Sequence, residues 1–242
     1  MNFSTDDPFN PMHRAEWQLG SLKAYDVIFT PRRSNFAELQ EQSQAEVRYL
    51  PFAYDSHLFS RRDAHEMSAS EHDDVLFVGG ADPDRVAFFR EFVQHGLRVK
   101  FVGSYWDRYA IPGGSCIGSR DWKSISALTA GAAVNVCLVR RANRDGHVMR
   151  TFEIPAVGGF SIVEDTADHR AFFREEGECV LYFSTPKEAV EKARWALENP
   201  LERRRMAAAA HARVAEGGHT YHDRLATMLD MEQPISSIET MS

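Results

Sequence analysis

The chain has 242 residues, with 28 Lys and Arg against 35 Asp and Glu, a formal net charge of −7, and 43% hydrophobic residues. That is an ordinary globular composition, long enough to bury a core without metal or disulfide support, and it bounds the chain to one large or two small domains. It argues against a globally basic nucleic-acid surface and a disordered or collagen-like chain, and no apolar run approaches the roughly 20 residues of a bilayer span.

The first 60 residues read as a small αβ unit. Tyr25–Phe29 is a short apolar strand ended by Thr30-Pro31, Ser34–Gln44 is a helix with Ser34 at its N-cap, and Glu46–Leu50 is a second strand stopped by Pro51. Residues 61–74 are charged and small, as expected of a linker. From residue 75 the alternation becomes regular. Strands are expected at Val75–Gly80, Arg98–Gly103, Val134–Val139, Phe160–Val163 and Cys179–Phe183. Asp82-Pro83 opens a helix that Gly96 stops, Asp121–Ala130 forms another, and His147–Val157 a third despite Pro155. Thr185-Pro186-Lys187-Glu188 and Asn199-Pro200-Leu201-Glu202 each combine an N-cap, an initial proline and an acid, which predicts two more helices. A last helix begins near His219 or Thr220 with Leu225, Met228 and Leu229 inward, and residues 230–242 are expected to fray. The whole describes a Rossmann-like α/β protein with a parallel sheet covered on both faces over 75–229, whose ligands sit beyond the carboxyl ends of the strands.

Several familiar sites are missing. There is no GxGxxG, no GxxxxGK[ST], no GxSxG elbow and no HExxH, so neither a dinucleotide, a P-loop, a hydrolase nor a metal site is expected. Cys116, Cys137 and Cys179 form no CxxC and read as buried, reduced thiols. The N-terminus lacks a signal peptide, and a cytoplasmic protein is expected. Gly79-Gly80 after the first strand of the larger unit either admits a ligand to the backbone or simply turns the chain. In the loop after the next strand, Trp106 either flanks a ligand or packs the loop down. The richest segment runs from Asn143 to Gly159. His147 and Arg150, three apart, share a helical face and with the helix N-terminus would favour a diphosphate. Asp145 and Glu153 lie eight residues apart, about 12 Å along a helix, too far for a close catalytic dyad but suited to opposite ends of an extended ligand. Glu153 stands in an apolar stretch, where burial demands hydrogen-bond partners such as a pair of sugar hydroxyls, unless it faces solvent with Arg150.

Arg150-Thr151-Phe152-Glu153-Ile154-Pro155-Ala156-Val157-Gly158-Gly159 resembles the R-x-F-E-x-x-A-x-G-G signature of the CgeB-like spore-maturation proteins, a group placed with the GT-B glycosyltransferases of group 1 type. Val78-Gly79-Gly80, Tyr49–Asp55 and His219–Arg224 are similar too, in the same order. The resemblance implies a C-terminal Rossmann-like domain that holds a nucleoside-diphosphate-sugar as donor substrate, with no separate cofactor and no metal. It also implies an N-terminal domain that holds an acceptor of unknown identity. Retaining relatives carry an acid-x7-Glu motif. Asp145 and Glu153 stand at that separation, with Asp in place of the usual Glu, so Glu153 becomes the ribose ligand and Asp145 the residue nearest the donor sugar.

By the same resemblance Asp145, His147 and Arg150 form the catalytic set, while Gly79, Gly80, Arg85, Glu153, Gly158 and Gly159 bind the nucleotide sugar. Arg150 and Arg85 would neutralise the leaving diphosphate. Transfer with retention is one implied function; a noncatalytic nucleotide-sugar-binding protein derived from the donor half is the other. Only about 60 residues precede the linker, fewer than a full N-terminal domain; the remainder is expected upstream of Met1, on a partner polypeptide, or not at all, and the exposed edge it leaves makes a homo-oligomer a further expectation.

Overall fold

Short β-branched runs punctuated by Pro and Gly become parallel strands in two separate sheets. The computed structural model describes residues 1–12, 14–61 and 72–229. The first sheet has three strands in the order β1 (Asn2–Phe3), β2 (Val27–Thr30) and β3 (Glu46–Tyr49), all parallel. Helices α1 (Glu16–Ser21) and α2 (Phe36–Gln42) accompany it. Ser34 does not cap α2: a 3-10 turn over Arg33–Asn35 precedes the helix, and the Ser34 hydroxyl donates instead to the Arg144 carbonyl.

The second sheet contains six parallel strands: β4 (His72–Val78), β5 (Val99–Val102), β6 (Gly114–Cys116), β7 (Ala132–Cys137), β8 (Ser161–Glu164) and β9 (Leu181–Phe183). Their spatial order is β6-β5-β4-β7-β8-β9, so the winding reverses between β4 and β7. A ligand crevice belongs at the carboxyl ends of those two strands. One apolar cluster packs α3 (Pro83–Gln94) and α7 (Pro186–Glu198) on one face, through Val86, Phe89, Phe92, Ala189 and Val190. The other face is covered by α4 (Trp122–Gly131), α5 (Arg150–Ala156) and α6 (Ala167–Phe173), through Ile125, Phe152 and Phe173. Helix α8 (Pro200–Glu216) contributes Met206 to the first cluster and Ala210 and Val214 to the second. The chain is thus a Rossmann-like α/β protein.

Local chemistry explains most helix starts. Asp82, Asp121 and Thr185 accept from the backbone N–H three residues on, at Arg85, Ser124 and Glu188. Asp82→Ala is expected to cost about 1 kcal/mol in urea unfolding; a loss indistinguishable from zero would show that Pro83 alone sets this helix start. Asn199 departs from the expectation. Its amide donates back to Trp195 and caps nothing, leaving Pro200 to start α8.

Four expectations along the chain need correction. The strand taken to begin at residue 75 begins at His72, so 72–74 are not linker; the expected linker residues 62–71 and tail 230–242 lie outside the described residues. Strand β6 was not expected. In α9 (Tyr221–Leu229) only Met228 of the three apolar positions turns inward, while Leu225 and Leu229 are exposed. Met228 packs with Val27, Phe29 and Leu50 on the first sheet, so the last helix returns to the first 60 residues. Of the cysteines, Cys137 and Cys179 are buried but Cys116 is exposed on the edge strand β6. Among the described residues no helix is long and apolar enough to cross a membrane.

Candidate functional site

At the end of β4, the Gly79 N–H donates to Val102 and its carbonyl accepts from the Trp106 indole at 2.8 Å. Trp106 is therefore a buried packing residue, stacked on Phe101. The close approach falls on Gly103, which has φ +143°; a Cβ there would overlap the Gly79 carbonyl. The Gly79-Gly80 turn is accordingly shaped by its neighbouring loop. Gly80 O in turn accepts from Arg85 Nη1 at 2.9 Å, which draws that side chain back toward the end of β4. Arg85 also lies over the Phe77 ring and near Asp82, and burial holds its guanidinium below the usual value.

Beyond β7 the chain makes a 3-10 turn over Arg141–Asn143 and a left-handed residue at Arg144 before α5. Helix α5 spans seven residues and starts at Arg150, not His147. His147 and Arg150 do not share a helical face. His147 is fully buried with both ring nitrogens engaged: Nε2 accepts from the Phe52 N–H at 3.1 Å, and Nδ1–H donates to Asp168 at 2.8 Å. The neutral tautomer is fixed, and no nitrogen is left for a diphosphate or a proton transfer. Its place in the structure is that of a post holding the crossing segment at Phe52. Gly158 and Gly159 are likewise structural. With φ +79° at Gly158, the two N–H groups bond Pro155 and Ile154 and close the helix, and a Cβ on Gly159 would crowd Thr129 and Asn135.

Arg150 and Glu153 do come together. They form a buried ion pair through Nη1 and Oε2, and Glu153 is 3% exposed, which excludes a solvent-facing acid. Outside that contact, the buried Arg150 Nε has no hydrogen-bond partner among the described residues. Burial lowers the Arg150 guanidinium to about 10. Buried polar atoms in native proteins are nearly always satisfied, so this cluster has capacity left for a ligand.

Asp145 is placed differently. It is buried against Arg32 from the first sheet, Nε to Oδ1 at 2.5 Å, and burial pushes its carboxyl up to about 6 despite that cation. Around it Asn10 bonds Asn143, Arg144 bonds Asp7 and Glu38, and Asn35 bonds Asp7. The sequence reading missed Arg32, Asp168 and Asp7, whose spacing carries no signal. Among the described residues no cluster of three or more His, Cys, Asp or Glu could hold a metal.

Histidines around this region set a pH response. His169 donates from Nδ1 to the Glu164 carbonyl and accepts from Thr151, and burial holds it down to about 4. His219, stacked on Phe152 and facing Arg224 and Asp223, also falls to about 4, and His147 is lowered. Each stays neutral in the fold while the unfolded imidazole titrates at 6.5, so the stability it adds is present above that pH and lost as pH falls toward 4. For the buried His169 this is worth up to about 3 kcal/mol. Asp145, raised, works in the opposite direction: its contribution is complete below the unfolded carboxyl value of 3.8 and is lost as pH rises through about 6. Three histidines outweigh one carboxyl, and Tm is expected to drop between pH 7 and 4.5. A flat or rising Tm over that range would contradict this balance.

A six-stranded parallel sheet wound both ways from a β4/β7 switch point and covered by helices on both faces defines a Rossmann-like α/β protein. A family model described as "Glycosyl transferase-like" matches residues 85–230, more than half of the chain, and the chain belongs to that family. It is similar to "Spore protein CgeB" of Bacillus subtilis (strain 168), 28% identical over 105 residues, which are 43% of this chain and 31% of that protein. Among solved structures it is similar to a sucrose-phosphate synthase from Thermosynechococcus elongatus, with a TM-score of 0.65 and 15% identity over 91% of this chain and 62% of that one. It is also similar to Anabaena Alr3699/HepE in complex with UDP, with a TM-score of 0.65 and 9% identity over 94% of this chain and 71% of that one. The matched segment is thus about a third of the length of CgeB and under two thirds of the synthase.

Proposed function

We propose that the chain binds a nucleoside-diphosphate sugar at the carboxyl ends of β4 and β7 and serves as the donor side of a glycosyltransferase. The observation that carries this reading is the buried Arg150–Glu153 pair, in which Arg150 Nε, outside the contact, lacks a hydrogen-bond partner among the described residues. A ribose offers two vicinal hydroxyls to the Glu153 carboxylate, and a diphosphate offers oxygens to the Arg150 guanidinium. The HepE structures, described as complexes with UDP and with UDP-glucose, support a nucleotide sugar as the ligand class.

In this reading the diphosphate departs between Arg150 and Arg85. Both guanidiniums are held in place before the bond breaks, and both are partly stripped of water, which strengthens their pull on developing charge. The acid-x7-Glu separation of Asp145 and Glu153 supports transfer with retention. The acceptor enters from the side of the first sheet. The free cysteines support a reducing, cytoplasmic setting. A binding-only protein is the second reading, favoured by one observation: Asp145 is already engaged by Arg32.

Ligand-observed NMR of the full chain with UDP, GDP and dTDP and their glucose or mannose conjugates tests the donor site. Saturable binding of at least one conjugate, weakened at least about tenfold by Glu153→Ala, is expected. Well-folded protein that binds none of them would overturn the reading. Hydrolysis of the bound conjugate to free sugar would separate an enzyme from a binding protein.

A further inference from the structure

Arg32 heads the fully buried side chains of the described residues, at 1% exposure. It follows β2 and Pro31, and every guanidinium nitrogen has a partner. Nη1 donates to the Ser4 carbonyl at 3.3 Å, Nη2 to the Thr5 carbonyl at 2.7 Å, and Nε to Asp145 Oδ1 at 2.5 Å. Its plane lies over Phe52, 5.4 Å from the ring centroid. The neighbouring Arg33 is exposed and rests on Tyr49.

Burying an arginine and an aspartate together costs several kcal/mol of lost hydration, and apolar residues of the same volume commonly pack as stably or better. A pair of this kind is poor evidence for a purely stabilising role. Its position points elsewhere. Arg32 belongs to the first sheet, whereas Asp145 lies on the loop leaving β7, within electrostatic reach of Arg85 and Arg140. The carboxylate therefore stands within reach of Arg85, one of the two cations assigned to the diphosphate, five residues before the helix that carries Arg150 and Glu153.

We propose that Arg32 is a positioning residue for the donor site: by gripping Asp145 across the interface between the two sheets, it keeps that carboxylate ionised and aimed at the sugar half of the donor. The proposal rests on the nucleotide-sugar reading above. Its consequence is a division of labour. Arg150, Glu153 and Arg85 hold the nucleoside diphosphate from the second sheet alone, and discrimination for the sugar requires the first sheet to be docked. Burial already drives Asp145 toward neutrality and Asp6 adds to it; with Arg32 gone its hydrogen bond and charge are lost, leaving Arg140 to oppose them, and the carboxyl is expected to protonate at neutral pH.

The test compares wild type with Arg32→Lys, Arg32→Met and Asp145→Asn. Calorimetric titrations use UDP, GDP and dTDP paired with UDP-glucose, GDP-mannose and dTDP-glucose, and thermal unfolding confirms that each variant is folded. Arg32→Lys retains the charge and serves if Arg32→Met does not fold. For whichever pair binds, the parent diphosphate is expected to bind all four proteins alike. The sugar conjugate is expected to bind Arg32→Met and Asp145→Asn at least about tenfold more weakly, with partial rescue in Arg32→Lys. In the ligand-free protein, the 13C carboxyl resonance of Asp145 is expected to titrate above pH 7 once Arg32 is replaced by Met, and below it in wild type. Equal loss of diphosphate and conjugate, no loss of either, or an unmoved Asp145 titration would overturn the positioning role while leaving the donor site standing. Failure of wild type to bind any of the six compounds would overturn both.

Discussion

Gly103→Ala is expected to lose at least about 3 kcal/mol of stability in urea unfolding, more than any cap or surface change in this chain. Two costs add at this position. Its φ of +143° is a conformation that L residues rarely adopt, and a new Cβ would lie 2.6 Å from the Gly79 carbonyl carbon and 3.0 Å from the Gly80 nitrogen. The obstruction is backbone, which cannot swing aside as a side-chain tip does. Gly96→Ala is the control. Its φ is +78°, but nothing lies within 4 Å of the added carbon, so only the conformational cost of about 1 kcal/mol is expected. Equal losses at the two positions would show that the turn after β4 yields more easily than its geometry indicates. Because Gly79 and Gly80 carry the Trp106 and Arg85 contacts, Gly103→Ala should also disturb Arg85 and weaken binding of a nucleotide sugar.

The second large effect concerns the Arg150–Glu153 pair. Removing either partner alone leaves the other charge buried without compensation, and each of Arg150→Met and Glu153→Leu is expected to cost about 3 kcal/mol. The double variant removes both charges and fills the space with apolar groups of similar size. Its stability is expected to return close to wild type, while nucleotide-sugar binding disappears. Chemical unfolding and ligand titration on the four proteins of this cycle measure both. A double variant as unstable as the sum of its parts would mean that the pair exists for the fold. A double variant that still binds the conjugates would remove it from the site.

What the sequence disclosed followed the range of the forces involved. Asp82, Asp121 and Thr185 cap helices through groups three residues away, so their patterns were readable in place. Strand β6 was not: Gly114-Ser115-Cys116 is neither apolar nor alternating, and it is extended because the edge of β5 offers it hydrogen bonds. Strand β1 similarly depends on β2. Glu153 was legible as a buried carboxylate needing partners, because an acid between Phe152 and Ile154 is conspicuous on any face of a helix. His147 misled for a related reason. The three-residue spacing to Arg150 implies a common face only if both lie in the helix, and the helix begins at Arg150. Arg32 and Arg33 are adjacent and chemically identical; a carboxylate 113 residues downstream decides which of them is buried.

The return of the last helix to the first sheet also limits how the molecule can open. Tyr54 and Thr220 form a parallel bridge, Tyr54 N–H bonds the His219 carbonyl, and Tyr221 N–H bonds the Tyr54 carbonyl. Arg224 clamps the same seam through the carbonyls of Pro51, Phe52 and Gly218. A single covalent tether would let two bodies swivel about any axis. Two segments bridged side by side, with Arg224 across them, hold the two halves together at a second place as the pins of a door do. Any parting of the halves about that seam would have to break the Arg32 grip on Asp145 together with the buried Asn10–Asn143 hydrogen bond.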